Sequence, residues 1–177
     1  MTKILTEENG KYGIDCAKAL WMTDEIHRQY QTAKLHLLKD ADFVIETETE
    51  LIIVEYKNST IRGALAPETF NPTDDKYVNA IVRKYYDSLH YLTLIGKTKP
   101  RRYVCVVEAE YSDSVMRPRL RERVSKELPF VLQKNIGSEN RLIESFDVLS
   151  IAEWNAHESY GRFPFLKLNA EGSETLD

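Results

Sequence analysis

Apolar residues recur along the chain either at helical spacing or in strict alternation, and these two periods divide the sequence into elements. Residues 13–31 mix apolar and polar side chains at roughly helical spacing, with good helix formers at Ala17, Ala19, Leu20 and Met22, and predict a first helix. Over 32–39, Ala33, Leu35 and Leu37 alternate with Lys34, His36 and Leu38, the period of a strand with one wet face. Residues 42–47 and 51–57 are β-branched and aromatic, and the polar cluster Glu48, Thr49 and Glu50 between them marks a hairpin. Pro67 and Pro72 bracket a loop, after which Val78, Ile81, Val82, Tyr85, Leu89 and Leu92 form one stripe of a long helix over 74–95. Residues 103–108 read as a buried strand. Pro118 fits the first turn of a helix whose apolar face is Leu120, Val124 and Leu128. A strand near 142–149 and a short helix from Ser150, with Glu153 completing a capping box, follow it. Residues 169–177 are polar and acidic and predict a flexible tail.

Three meander strands followed by a helical crossover to a further strand imply an α/β (α+β) fold, a mixed sheet with helices packed on it. No repeat or linker divides the 177 residues, so a single domain is expected over 1–168. Apolar residues make up 42% and charged residues 29% of the chain, which disfavours disorder. The longest apolar runs fall far short of the ~18 residues that span a bilayer, so no membrane partner is expected. Glu7, Glu8, Lys11 and Asp15 stand where a signal peptide needs an apolar stretch, which predicts a cytoplasmic protein. Cys16 and Cys105 lie far apart and read as buried free thiols. The net charge of −4 argues against coating nucleic acid by bulk electrostatics, but residues 97–126 carry nine basic against four acidic side chains.

The hairpin yields a spatial expectation. Whether its turn is 48–49 or 47–50, paired positions sum to 97, so Asp42 lies opposite Glu55 and Asp40 opposite Lys57. Opposed carboxylates destabilise a bare sheet, and a shared cation compensates. Lys57 is two residues beyond Glu55, on the same face of the strand. Asp42, Glu55 and Lys57 thus form a hard oxygen site with an adjacent ammonium, suited to Mg²⁺ or Mn²⁺ rather than Zn²⁺. Repulsion between the two carboxylates further predicts that Asp42→Asn leaves the metal-free protein as stable as wild type or more so. Asp40 reads as a salt-bridge partner of Lys57 before it reads as a further ligand.

Ala41-Asp42-Phe43-Val44-Ile45, a short turn, and Ile53-Val54-Glu55-Tyr56-Lys57 together resemble the PD-(D/E)xK nuclease superfamily, with Ala41 in place of the motif Pro. The element order resembles that superfamily's restriction-endonuclease-like αβββαβ core over about 13–108, with C-terminal additions over 109–168. The resemblance implies metal-dependent phosphodiester hydrolysis. It implies Asp42 and Glu55 as ligands, the Tyr56 carbonyl as a further ligand, and Lys57 as the group that orients water or stabilises developing charge. It also implies an acidic residue from the first helix, for which Glu25 is preferred over Asp24 and Asp15, and a polar or basic residue from the helix after the ExK strand, Arg83 or Lys84.

Substrate contacts are expected from the basic stretch, at Lys97, Lys99, Arg101 and Arg102 in a loop and at Arg117, Arg119, Arg121 and Arg123 around a helix start, all able to hold phosphates without reading bases. Tyr103 and Tyr111 are candidates to stack on bases. Gly96-Lys97-Thr98 lacks the first Gly of a phosphate-binding loop, Tyr91 standing there, and the four histidines form no metal-binding pair. The expected protein is therefore a Mg²⁺- or Mn²⁺-dependent nuclease acting on nucleic acid, DNA favoured over RNA, with room for a homodimer. The alternative is a nuclease-fold domain that binds nucleic acid or a protein partner without cutting.

Overall fold

Backbone pairing divides the strands between two sheets, and the central hairpin of the larger one meets a helical layer on one face and the smaller sheet on the other. The computed structural model describes residues 3–60, 74–109, 114–137 and 139–168, with the backbone of Glu174 and Thr175. In chain order the elements are β1 (Ile4–Thr6), β2 (Tyr12–Asp15), β3 (Trp21–Thr23), α1 (Ile26–Thr32), β4 (Phe43–Glu46), β5 (Leu51–Asn58), α2 (Asp75–Leu94) and β6 (Arg101–Glu108). Then follow α3 (Met116–Glu127), α4 (Phe130–Ile136), β7 (Ser145–Leu149), α5 (Ile151–Ala156), a 3₁₀ turn (Tyr160–Arg162), β8 (Phe165–Leu168) and β9 (Glu174–Thr175). Among the described residues no helix is long and apolar enough to cross a membrane.

The larger sheet has the order β3-β4-β5-β6-β7. Its first three strands are antiparallel, while β5, β6 and β7 run parallel, so α2 and the α3–α4 pair serve as crossovers. Alternation along β5 decides what each face meets. Leu51 and Ile53 point to a helical layer holding Ile26 and Tyr30 of α1, Val78, Ile81 and Tyr85 of α2, and Leu120 and Val124 of α3. Ile52, Val54 and Tyr56 point the other way, to Leu5 and Ile14 of the smaller sheet and Trp154 of α5. That sheet has the order β1-β2-β8-β9, joining the two ends of the described chain.

Several expectations hold in detail. Phe43 pairs with Val54, Val44 with Ile53, Ile45 with Ile52 and Glu46 with Leu51, each pair summing to 97. Thr47 closes the turn, its hydroxyl accepting from the Thr49 and Glu50 amides at 3.3 and 3.0 Å. Asp74 caps α2, accepting from the Lys76 amide at 3.0 Å. The capping box at Ser150 and Glu153 is formed. Cys16 and Cys105 are buried free thiols.

Two expectations fail. The helix over 13–31 is replaced by β2, a turn, β3 and the short α1. The Asp15 carboxylate accepts from the Ala17 amide at 2.8 Å, a local bond that competes with helix, and Ile14 and Cys16 are buried in the second core through strand pairing. The strand over 32–39 is absent: Lys34 sits at a φ of 58°, the Leu35 amide returns to the Tyr30 carbonyl at 2.9 Å, and Leu37 is 80% exposed. The place expected for that strand is taken by β3, so α1 falls inside the meander and not before it. The loop at Pro67 and Pro72 lies outside the described residues. Of the acidic tail, Glu174 and Thr175 pair as a strand with Leu168 and Lys167.

Candidate active site

Asp42 immediately precedes β4, where the register carries it across from Glu55. Its Oδ2 accepts the backbone N–H of Tyr56 at 2.7 Å, taking the place of the strand partner that β4 no longer supplies at this point. Glu55 follows four apolar residues of β5 and is fully buried on the helix-facing side. Lys57 Nζ lies 2.8 Å from Glu55 Oε1. Strand alternation brings all three to one locus, as expected.

The helix after β5 completes the cluster. Lys84 Nζ donates to Glu55 Oε1 at 2.8 Å, Glu55 Oε2 at 2.9 Å and Asp42 Oδ1 at 3.2 Å, so three carboxylate oxygens converge on one ammonium. Of the two residues considered on this helix, the structure selects Lys84. Arg83 turns away, to Asp87 and the Leu37 carbonyl. The sequence carries a signal for this choice: Ile81, Lys84 and Ser88 stand at i, i+3 and i+7, one line along the helix, and Ile81 and Ser88 are both buried. Ser88, which the sequence reading passed over, accepts the buried Ala41 amide at 2.9 Å and fixes the chain just before Asp42.

Two carboxylates and two ammoniums make the cluster neutral. Burial pushes the Glu55 carboxyl above its ordinary range and the Asp42 charge adds to this, while Lys84 and Lys57 pull it back. The Glu55 charge holds the Lys57 ammonium above the usual lysine value against the opposing effect of burial. Burial alone would lower Lys84 as well, but the Glu55 and Asp42 carboxylates and their hydrogen bonds raise it. The structure argues against the expectation that Asp42→Asn is harmless without metal: the opposed carboxylates share Lys84, and both Asp42 oxygens accept hydrogen bonds.

The donor chemistry fits a hard cation. Both side chains offer carboxylate oxygens to a point already occupied by positive charge. The N–H and C=O of one strand residue point to the same edge, so the Tyr56 carbonyl lies on the Asp42 side of β5, where β4 has ended. Among the described residues no group of three or more His, Cys, Asp or Glu side chains is gathered for a metal. Glu25, expected as a third acid, sits at the start of α1 and pairs with Arg28. Asp40 pairs with His27 at 3.0 Å in place of the expected Lys57.

The six arginines expected at a nucleic-acid surface are not brought together. Arg101 is buried, its guanidinium on the Lys97 carbonyl, and Arg102 holds Glu50 at 2.6 Å. Both belong to the start of β6, level with Leu51 and Ile52, at the end of the sheet away from Glu55. On α3, Arg117 pairs with Glu153, Arg121 with Asp147, and Arg123 with Asp75, while Arg119 is exposed. Arg117 and Arg121 line a cleft of about 500 Å³ together with Asp147, Leu149 and Glu153. Leu149 pairs with Val106, and Val106 with Tyr56, so this cleft opens at the same end of the parallel strands as the carboxylate cluster, two strands away. Tyr103 is fully buried and donates to the Ile81 carbonyl at 2.8 Å, so it is a core residue and not a base-stacking one. Tyr111 lies outside the described residues.

No protein-family profile, curated protein or solved structure matches this chain.

Proposed function

We propose that this protein is a metal-dependent phosphodiesterase acting on nucleic acid, a nuclease of the restriction-endonuclease-like type with DNA as the favoured substrate. The observation that carries the reading is the convergence of Asp42 and Glu55 oxygens on one cation locus, with Lys57 fixed beside it at the C-terminal end of β5. Ligands of open α/β sheets bind outside the carboxyl ends of parallel strands, where this locus lies. Asp42 and Glu55 would hold a Mg²⁺ or Mn²⁺ ion through carboxylate oxygens, and Tyr56 through its carbonyl. When bound, such an ion neutralises charge on a phosphoryl oxygen and makes water easier to ionise. Lys57, about one-third exposed and anchored on Glu55, is the group placed to orient the attacking water or donate to developing charge. Arg117 and Arg121 supply phosphate contacts from the neighbouring cleft, exchanging their own carboxylates for substrate.

A second reading, a fold that binds nucleic acid or a protein partner without cutting, is favoured by one observation. Lys84 already satisfies the carboxylates, and the cluster is neutral without any metal. Incubation with single-stranded, double-stranded and branched DNA and with RNA, in Mg²⁺, Mn²⁺ or EDTA, separates the two. The nuclease cuts at least one of these with metal and none in EDTA. Glu55→Ala loses both cleavage and Mn²⁺ binding measured by calorimetry. Lys57→Ala keeps most of the binding and loses cleavage by about 100-fold or more, the scale of removing one charge-stabilising donor. Full activity of Lys57→Ala would remove the mechanism, and binding of nucleic acid without cleavage under every condition would establish the second reading.

A further inference from the structure

The position of Lys84 has a consequence for any ion that uses the Asp42 and Glu55 oxygens. Its Nζ has both Glu55 oxygens at 2.8 and 2.9 Å and Asp42 Oδ1 at 3.2 Å, and so bridges the two carboxylates, while Lys57 Nζ lies 2.8 Å from Glu55 Oε1. Divalent Mg²⁺ takes carboxylate oxygens at about 2.0–2.1 Å. With two carboxylates fixed on adjacent strands, the space equidistant from these oxygens is the space the ammonium fills. An ion and an ammonium cannot share it, because neither size nor charge permits both.

We propose that Lys84 is the resident cation of this site and that metal loading is an exchange, the divalent ion displacing the Lys84 ammonium from Glu55 and Asp42. This deepens the nuclease reading and rests on it. The exchange explains why a fully buried glutamate opposite an aspartate is tolerated without metal: α2 delivers the compensating charge. It also sets the affinity. The ion must offset the loss of three charge-assisted hydrogen bonds to Lys84, so the site binds divalent ions weakly and releases them readily. The side chain is long and unbranched, and 19% of it is exposed, so the displaced ammonium has a route outward without movement of α2. Lys57 differs in kind. It flanks the locus without filling it, and remains on Glu55 when the ion enters.

The experiment uses the intact protein and two readouts independent of cleavage. Mn²⁺ binding is measured by calorimetry for wild type and Lys84→Met, and in wild type the lysine side-chain ammonium ¹⁵N signals are followed while Mg²⁺ is added. Lys84→Met is expected to bind Mn²⁺ tighter by roughly tenfold to a hundredfold, the size expected from removing one positive charge a few ångströms from a divalent ion. The wild-type Lys84 signal is expected to shift along the same saturation curve as binding, with the Lys57 signal moving less. Equal or weaker Mn²⁺ binding by Lys84→Met, with wild type still binding, overturns the exchange and leaves the metal site standing. Should Lys84→Met fail to fold, the wild-type signals decide alone, and a Lys84 ammonium unmoved at saturating Mg²⁺ overturns the proposal. Absence of Mn²⁺ binding by both proteins at millimolar concentration removes the metal reading and the exchange together.

Discussion

A carboxylate that accepts from two different donors is hard to replace by its amide, and Asp42 is in that position. One oxygen takes the Tyr56 amide and the other takes Lys84. In Asp42→Asn the new NH₂ group must face one of these donors, leaving one of them unsatisfied. The variant should lose about 1–3 kcal/mol of stability in EDTA, the cost of a partly buried donor without its acceptor, read by urea denaturation. A variant as stable as wild type would mean that these bonds contribute nothing. The opposition of Asp42 and Glu55 was legible in the sequence because a hairpin register is fixed by its turn, and the two glutamates and two threonines at 47–50 leave one centre of symmetry. Lys84 was only half legible. Its phase on the helix is readable from Ile81 and Ser88, but the height at which α2 crosses β5 depends on tertiary packing that local pattern does not encode.

Among the elements, those with a strong period came out of the sequence nearly intact. The α2 helix, the β4–β5 hairpin and β6 each bury a continuous apolar set, and burial is what their patterns record. The region from 13 to 39 did not, since its helix formers are preceded by an aspartate that bonds the local backbone, and its alternating leucines Leu35 and Leu37 face solvent. The start of α2 is set by Asp74, whose side chain occupies an otherwise orphaned amide. Asp74→Ala should cost about 1 kcal/mol, seen as a lower melting temperature by circular dichroism. Since the cap is ten residues from Lys84, the metal-binding isotherm should be unchanged once folding is complete; a weakened isotherm would mean that the first turn helps to hold the cluster.

At the scale of the whole molecule, the mixed sheet with helices packed on it was legible and the second sheet was not. β1 and β2 meet β8 from the far end of the described chain, and pairing over such a separation leaves no local mark. The charges and phenols between the layers give stability a defined pH dependence. Lys57 and Lys84 sit above the ordinary lysine value of 10.5, so their contribution is complete below that pH and is lost as pH rises through the folded values. Buried Tyr85 and Tyr103, pushed up by burial, act in the same direction. Glu55, also raised, has its effect at the acid end, where its contribution is complete below the ordinary glutamate value and falls as pH rises through the folded one. Melting temperature should therefore drop steeply above about pH 10.5, and the gap between wild type and Lys84→Met should narrow there; parallel curves would contradict the ion-pair assignment. The same four charges constrain the order of assembly. A β4–β5 hairpin standing alone would set two carboxylates against each other with only Lys57 on Glu55 to compensate, and the ammonium that bridges both lies 29 residues beyond Glu55. The hairpin is thus a poor independent nucleus, and it and α2 must consolidate in one event. In stopped-flow refolding, Lys84→Met should slow folding as well as hasten unfolding, with a φ-value of roughly 0.5 or more, whereas a φ-value near zero would show that the hairpin closes first and waits for the helix.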